Sequence, residues 1–153
     1  MSDLLGFSNE TFTNFAFYSG LVLSKTLIMG PLTSMFRGRN KVFVNPEDVK
    51  RFAAPGTALT ASDPTVERIR RCHQNDLENV VPFTLIGLLY VSADPDPDRA
   101  INIFRIFAAS RFLHTASYLL PLPQPSRATC FIVGWGATAA MAFFVIARTT
   151  FFK

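Results

Sequence analysis

The sequence has little charge and only two cysteines. Charged residues make up 17% of the 153 positions and apolar residues 49%, whereas roughly 25% of an average soluble domain is charged. This imbalance excludes an ordinary soluble domain. Cys72 and Cys130 are far apart in the sequence, which excludes a disulfide framework and the ligand spacing of a zinc site, so we expect two free thiols and no metal.

Two further features are missing. The segment 1–9 has no basic region of the kind that opens a signal peptide, so we expect the first apolar run to stay as a membrane anchor. The net charge is +4, but no basic stripe interleaved with aromatic residues lies outside the apolar segments. Binding to nucleic acid is therefore not predicted.

Long apolar and amphipathic runs are what the sequence does contain. They predict an all-α fold: one integral membrane domain over residues 1–153, with four helices in a bundle. The expected helices cover about 11–36, 64–91, 99–120 and 126–148, and a polar loop with a short helix covers about 37–61. Basic residues concentrate in the segments 37–61 and 121–127, so the positive-inside rule predicts that these segments are cytoplasmic.

The second predicted helix carries a polar stripe. Arg68, Arg71, Asn75 and Glu78 recur at steps of three and four residues, which places them on one helical face. Ionisable residues inside a membrane are costly unless they face a partner or a wet cavity, so this stripe is a candidate functional site. Lys25 and Asp76 lie at similar depth, about 18 Å from the cytoplasmic ends of their helices, and we expect them to pair.

The third helix continues the pattern. Arg111, Thr115 and Tyr118 follow the same spacing, with His114 on the adjoining edge, and Arg127 enters the fourth helix at the same end. The residues expected to converge on one layer are Arg37, Arg71, Asn75, Glu78, Arg111, His114, Tyr118 and Arg127. Arginines bind carboxylates with two parallel hydrogen bonds and a glutamate binds an ammonium, so this set fits a small anionic ligand that also carries an amine. The alternative is that these charges join helices or contact lipid headgroups.

Several motifs resemble the MAPEG family of small membrane proteins, and its glutathione transferase members in particular. They comprise Arg68, Arg71, His73, Asn75, Asp76 and Glu78 with Pro82-Phe83, then Lys41-Val42-Phe43 with Asn45-Pro46-Glu47-Asp48, Arg111 with His114-Thr115 and Tyr118, and Pro121-Leu122-Pro123-Gln124-Pro125 with Arg127-Ala128. The resemblance extends over nearly the whole chain.

The resemblance implies a homotrimer with sites between subunits near the cytoplasmic face, glutathione as cosubstrate, and a multi-pass protein of the endoplasmic reticulum and outer mitochondrial membranes. It implies detoxification of hydrophobic electrophiles or lipid hydroperoxides by conjugation, with possible glutathione-dependent peroxidase activity. The implied glutathione contacts are Arg37, Arg71, His73, Asn75, Glu78, Arg111 and Tyr118. Arg127 matches the arginine placed near the thiol and is the implied catalytic residue.

Three positions depart from family patterns. Gln74 and Ala128 stand where the prostaglandin E synthase members have arginine and serine, and Val49 stands where familiar transferase members carry a loop cysteine whose modification activates them. These differences disfavour the synthase and put thiol-triggered activation in doubt. A glutathione-dependent isomerase and a non-enzymatic membrane module that binds lipid or protein remain as alternatives.

Overall fold

The computed structural model describes residues 4–54 and 62–151, and the regular elements in this part of the chain are all helical. They are α1 (Glu10–Arg39), α2 (Pro46–Phe52), α3 (Pro64–Ser92), α4 (Pro97–Leu119) and α5 (Ser126–Phe151). The all-α prediction is confirmed. Residues 55–61 of the predicted loop 37–61 lie outside the described residues, as do the first three and last two residues of the predicted domain.

The four long helices pack against one another. α1 contacts α3 and α4, while α5 contacts α4 and α3. Within the described ranges, α1 and α5 are the two helices long and apolar enough to cross a membrane. α1 continues through Pro31 to Arg39.

Asp63 connects the start of α3 to the end of α1. Its Oδ1 accepts hydrogen bonds from the backbone N–H groups of Val66 and Thr65 and from the side-chain amide of Asn40, the residue that caps α1. The Val66 N–H and the Asn40 amide stabilise the carboxylate and lower the pKa of Asp63 below its usual value. This cap fixes where α3 begins relative to α1.

An aromatic core sets the spacing of α1, α3 and α4. The rings of Phe83 and Phe107 stack with centroids 3.7 Å apart, and Phe15 and Phe104 pack around them. A Cβ on Gly87 would lie 2.2 Å from the Phe15 ring, so only glycine allows α1 to approach α3 this closely. The core therefore fixes the rotation of each helix about its axis.

The predicted pair of Lys25 and Asp76 is confirmed. Lys25 Nζ lies 2.5 Å from Asp76 Oδ1, and both side chains are buried. The same Nζ donates to Thr115 Oγ1 at 2.9 Å, and Cys72 lies beside that hydroxyl as a buried free thiol. Thr115 therefore points at α1, whereas Tyr118 lines a cavity on the other side of α4, so the stripe predicted for Arg111, Thr115 and Tyr118 does not face one hollow.

Candidate functional site

A polar cavity opens between α3, α4 and the beginning of α5. It has a volume of about 340 Å³ and is lined by Asn75, His114, Tyr118, Gln124, Arg127, Ala128 and Phe131. We call it the Arg127 cavity. Four of the predicted convergent residues, on three different helices, form its wall, so the sequence pattern did identify a shared hollow.

Arg127 lies in the first turn of α5, which contains no acidic residue. Its Cζ lies 5.0 Å from the centre of the Tyr118 ring, a distance typical of a cation–π contact. The Tyr118 ring also packs against His114, with centroids 5.1 Å apart. The first turn of a helix carries partial positive charge from its free N–H groups. Arg127 and the helix terminus together make this end of the cavity favourable for an anion.

Arg111 forms the buried side of the site. Its side chain is fully buried, Nη1 donates to Asn75 Oδ1 at 3.0 Å, and Nη2 donates to the Cys130 carbonyl at 3.4 Å. The Nε atom is buried without a partner, and no carboxylate of the described residues makes direct contact with the guanidinium. A buried cation with spare donors is costly unless a further acceptor completes its hydrogen bonds. The arrangement therefore favours binding of a carboxylate next to Asn75.

Besides the buried Arg111, four of the predicted ligand residues lie outside the Arg127 cavity within one chain. Arg37 lines a separate cavity of about 410 Å³ between the end of α1 and α2, together with Asp48, and its Nε is buried without a partner. Arg71 is exposed and His73 half-exposed on α3. Glu78 is exposed and accepts a hydrogen bond from the Gln74 amide at 3.1 Å. The single chain thus presents Arg71, His73 and Glu78 on the outside of α3, while Arg37 faces a cavity of its own.

An apolar groove continues from the Arg127 cavity along α3 and α5. It has a volume of about 290 Å³ and is lined by Glu78, Asn79, Pro82, Ile86, Trp135, Thr138, Ala139 and Ala142. α3 and α5 begin at the same end of the bundle, so residues with higher numbers on either helix lie farther from the Arg127 cavity along the groove. Sequence reasoning missed this wall, although Trp135, Thr138, Ala139 and Ala142 recur at helical spacing and face one side.

The chain matches one family model and is similar in sequence to several known proteins. A family model described as "MAPEG family" matches residues 15–147. Microsomal glutathione S-transferase 1 of Homo sapiens is 48% identical over 137 residues, and that of Bos taurus is 49% identical over 137 residues; each match covers 88% of this chain and 88% of the relative. Prostaglandin E synthase of Bos taurus is 34% identical over 132 residues, covering 86% of this chain and 85% of the relative.

Proposed function

This chain belongs to the MAPEG family, and from that premise we propose that it is a membrane-bound enzyme that transfers glutathione to hydrophobic electrophiles. The observation that carries the proposal is the identity of 48–49% to microsomal glutathione S-transferases over 88% of the chain. Identity to prostaglandin E synthase is only 34%, which favours the transferase over the isomerase.

The Arg127 cavity is the proposed place of the reacting sulfur. A free thiol has a pKa near 8.5, so glutathione at neutral pH is mostly protonated while only the thiolate is a good nucleophile. The guanidinium of Arg127 and the first turn of α5 stabilise the thiolate, and the proton leaves to water. The thiolate then forms a carbon–sulfur bond with the electrophile as the leaving group departs with the bonding electrons.

The same thiolate supports peroxidase chemistry with a lipid hydroperoxide. Sulfur attacks the terminal peroxide oxygen, the O–O bond breaks, and the substrate leaves as an alcohol once it takes up a proton. A second glutathione condenses with the resulting sulfenic acid to give glutathione disulfide and water. Both substrates are hydrophobic and enter from lipid, and the apolar groove beside Glu78 and Trp135 gives them a surface next to the sulfur.

The remaining ligand residues support a homotrimer with sites between subunits. In the proposed site, Arg37, Arg71 and Arg111 hold the glutathione carboxylates, Glu78 binds the ammonium, and His73, Asn75 and Tyr118 add hydrogen bonds. Arg71 and Glu78 are exposed on a long helix of a membrane protein, a position that is costly unless another chain or water covers it. Contact with the Arg37 cavity of a neighbouring subunit would cover that stripe and complete the site.

We also propose that the protein lies in the membranes of the endoplasmic reticulum and of the outer mitochondrion.

Titration with glutathione tests the proposed function. Thiolate absorbance of the purified protein in detergent should rise with glutathione concentration at pH 7 and fall when a hydrophobic electrophile is added, because the electrophile consumes the bound thiolate. A matched titration with S-methylglutathione, which has no ionisable thiol, should give no such signal. Absence of a glutathione-dependent thiolate signal and of conjugate would refute the transferase. Conversion of a lipid endoperoxide without conjugate would establish the isomerase instead.

Mixing two inactive variants tests the site between subunits. Arg37→Ala and Arg127→Ala chains, co-expressed with different tags and purified as mixed oligomers, should recover about one third of wild-type activity, because one interface of each mixed ring combines both intact arginines. Oligomers that mix the wild type with the Arg37→Ala/Arg127→Ala double variant provide the control. If the variant mixture stays as inactive as either single variant while the control mixture is active, both arginines belong to one chain's site.

A further inference from the structure

α5 meets α4 through Gly134, and the contact is so close that any side chain at this residue would force a neighbouring side chain to move. A Cβ built on Gly134 would lie 2.6 Å from Ser110 Oγ and 3.3 Å from Arg111 Nε, with Arg111 Nη2 at 3.6 Å. Gly134 is buried, whereas Gly136, two residues further along α5, is exposed and has no atom within 4 Å of its would-be Cβ. A side chain at residue 134 would therefore enter occupied space, whereas a side chain at residue 136 would enter open space.

The guanidinium of Arg111 fills the space beside Gly134. It donates through Nη2 to the carbonyl of Cys130, one helical turn before Gly134, and through Nη1 to Asn75 on α3. The group thus bridges the backbone of α5 and a side chain that lines the Arg127 cavity. A bulkier residue at position 134 would push against Nε and Nη2, the side of the guanidinium opposite Asn75.

The backbone of Arg111 is held from the other side. Its carbonyl accepts from Lys25 Nζ at 3.4 Å and from Thr115 Oγ1 at 3.0 Å, and Lys25 is itself paired with Asp76. Since the main chain is anchored by a buried ion pair, pressure from position 134 falls on the side chain of Arg111. We therefore expect the guanidinium to move while the helix stays in place.

We propose that Gly134 is a positioning residue for glutathione binding: by leaving this space open, it lets the guanidinium of Arg111 lie against α5 and hold Asn75 at the wall of the Arg127 cavity. The inference rests on the proposed function, because it assumes that Arg111 binds a glutathione carboxylate. A displaced guanidinium loses the Asn75 hydrogen bond and the alignment with that carboxylate. Arg127 and Tyr118 stay in place, so the chemical step is spared.

Matched substitutions at the two glycines test this inference. Gly134→Ala should raise the KM for glutathione about threefold and Gly134→Val about tenfold or more, since charge-assisted hydrogen bonds depend on alignment. The kcat of both variants should stay within about twofold of the wild-type value. Gly136→Ala and Gly136→Val should leave both constants within about twofold of wild type. Equal effects at the two glycines, or a loss confined to kcat, would overturn the inference.

Two further variants distinguish an effect that acts through Arg111 from a general packing defect around residue 134. Ser110→Ala removes the nearest clashing atom, so Ser110→Ala/Gly134→Ala should fold readily and still show the raised KM if Arg111 carries the effect. In an Arg111→Met background, Gly134→Ala should add no further rise in KM; an equal rise there would refute the role of Arg111. If the wild type binds no glutathione, the proposed function fails; if it binds and the Gly134 variants match the Gly136 variants, the inference alone fails.

Discussion

Replacing Arg127 with alanine should raise the pKa of the thiol of bound glutathione by about one to three units. The side chain is the cation at the first turn of α5 on the cavity wall, and its removal leaves the thiolate without that stabilisation. Each unit by which the thiol pKa exceeds the assay pH lowers the thiolate fraction about tenfold. A free thiol with a pKa near 8.5 is still about 3% ionised at pH 7. The conjugation rate at pH 7 should therefore fall about tenfold to thirtyfold, and most of it should return as the pH is raised towards 9.

The measurement is the pH dependence of thiolate absorbance and of kcat for the wild type and Arg127→Ala. Arg39→Ala is the control, because Arg39 is an exposed arginine in the last turn of α1 and lines neither cavity described above. This control should follow the wild-type profile. If Arg127→Ala binds glutathione and forms thiolate with an unchanged pH profile, the catalytic assignment is wrong.

Removing one partner of the Lys25–Asp76 pair should cost about 3–5 kcal/mol of unfolding free energy. Both side chains are buried, so Lys25→Met leaves an uncompensated carboxylate and Asp76→Leu leaves an uncompensated ammonium. The double variant Lys25→Met/Asp76→Leu removes both charges and should recover most of the loss. Exchange of the two residues, Lys25→Asp/Asp76→Lys, restores opposite charges and should also fold better than either single variant.

Unfolding in detergent measures these effects, and an exposed pair supplies the comparison. Arg70 and Glu67 also form a salt bridge, but their side chains are 52% and 29% exposed. Glu67→Gln should therefore cost no more than about 1 kcal/mol. If the Lys25 and Asp76 single variants are no less stable than Glu67→Gln, or if their effects add in the double variant, the buried pair does not stabilise the fold.

The sequence predicted how far along its helix each residue lies, but it predicted only in part which way the side chain faces. Counting residues from the predicted helix ends placed Lys25 and Asp76 at one level, and the structure joins them. The same counting put Thr115 and Tyr118 on one face. Adjacent residues differ by about 100° around a helix, so a small rotation decides which of Thr115 and His114 points into the cavity. The structure directs His114 to the cavity and Thr115 to Lys25.

The separation of Arg37 from Arg127 shows a second limit. Helical spacing relates residues on one helix, but it does not say whether Arg37 at the end of α1 faces the same hollow as Arg127 at the start of α5. Within one chain the two arginines line different cavities. Their proposed meeting requires a neighbouring subunit, so it remains a prediction.

The sequence by itself determined the helical class, the buried ion pair and the family, because these depend on local hydropathy, on the cost of unpaired charge in an apolar interior and on motifs read in order. Only the tertiary structure decided which side chains share the Arg127 cavity and why residue 134 is glycine. Those outcomes depend on how each helix is rotated, and that rotation is set by close contacts between distant residues, such as Gly87 against Phe15 and Gly134 against Arg111.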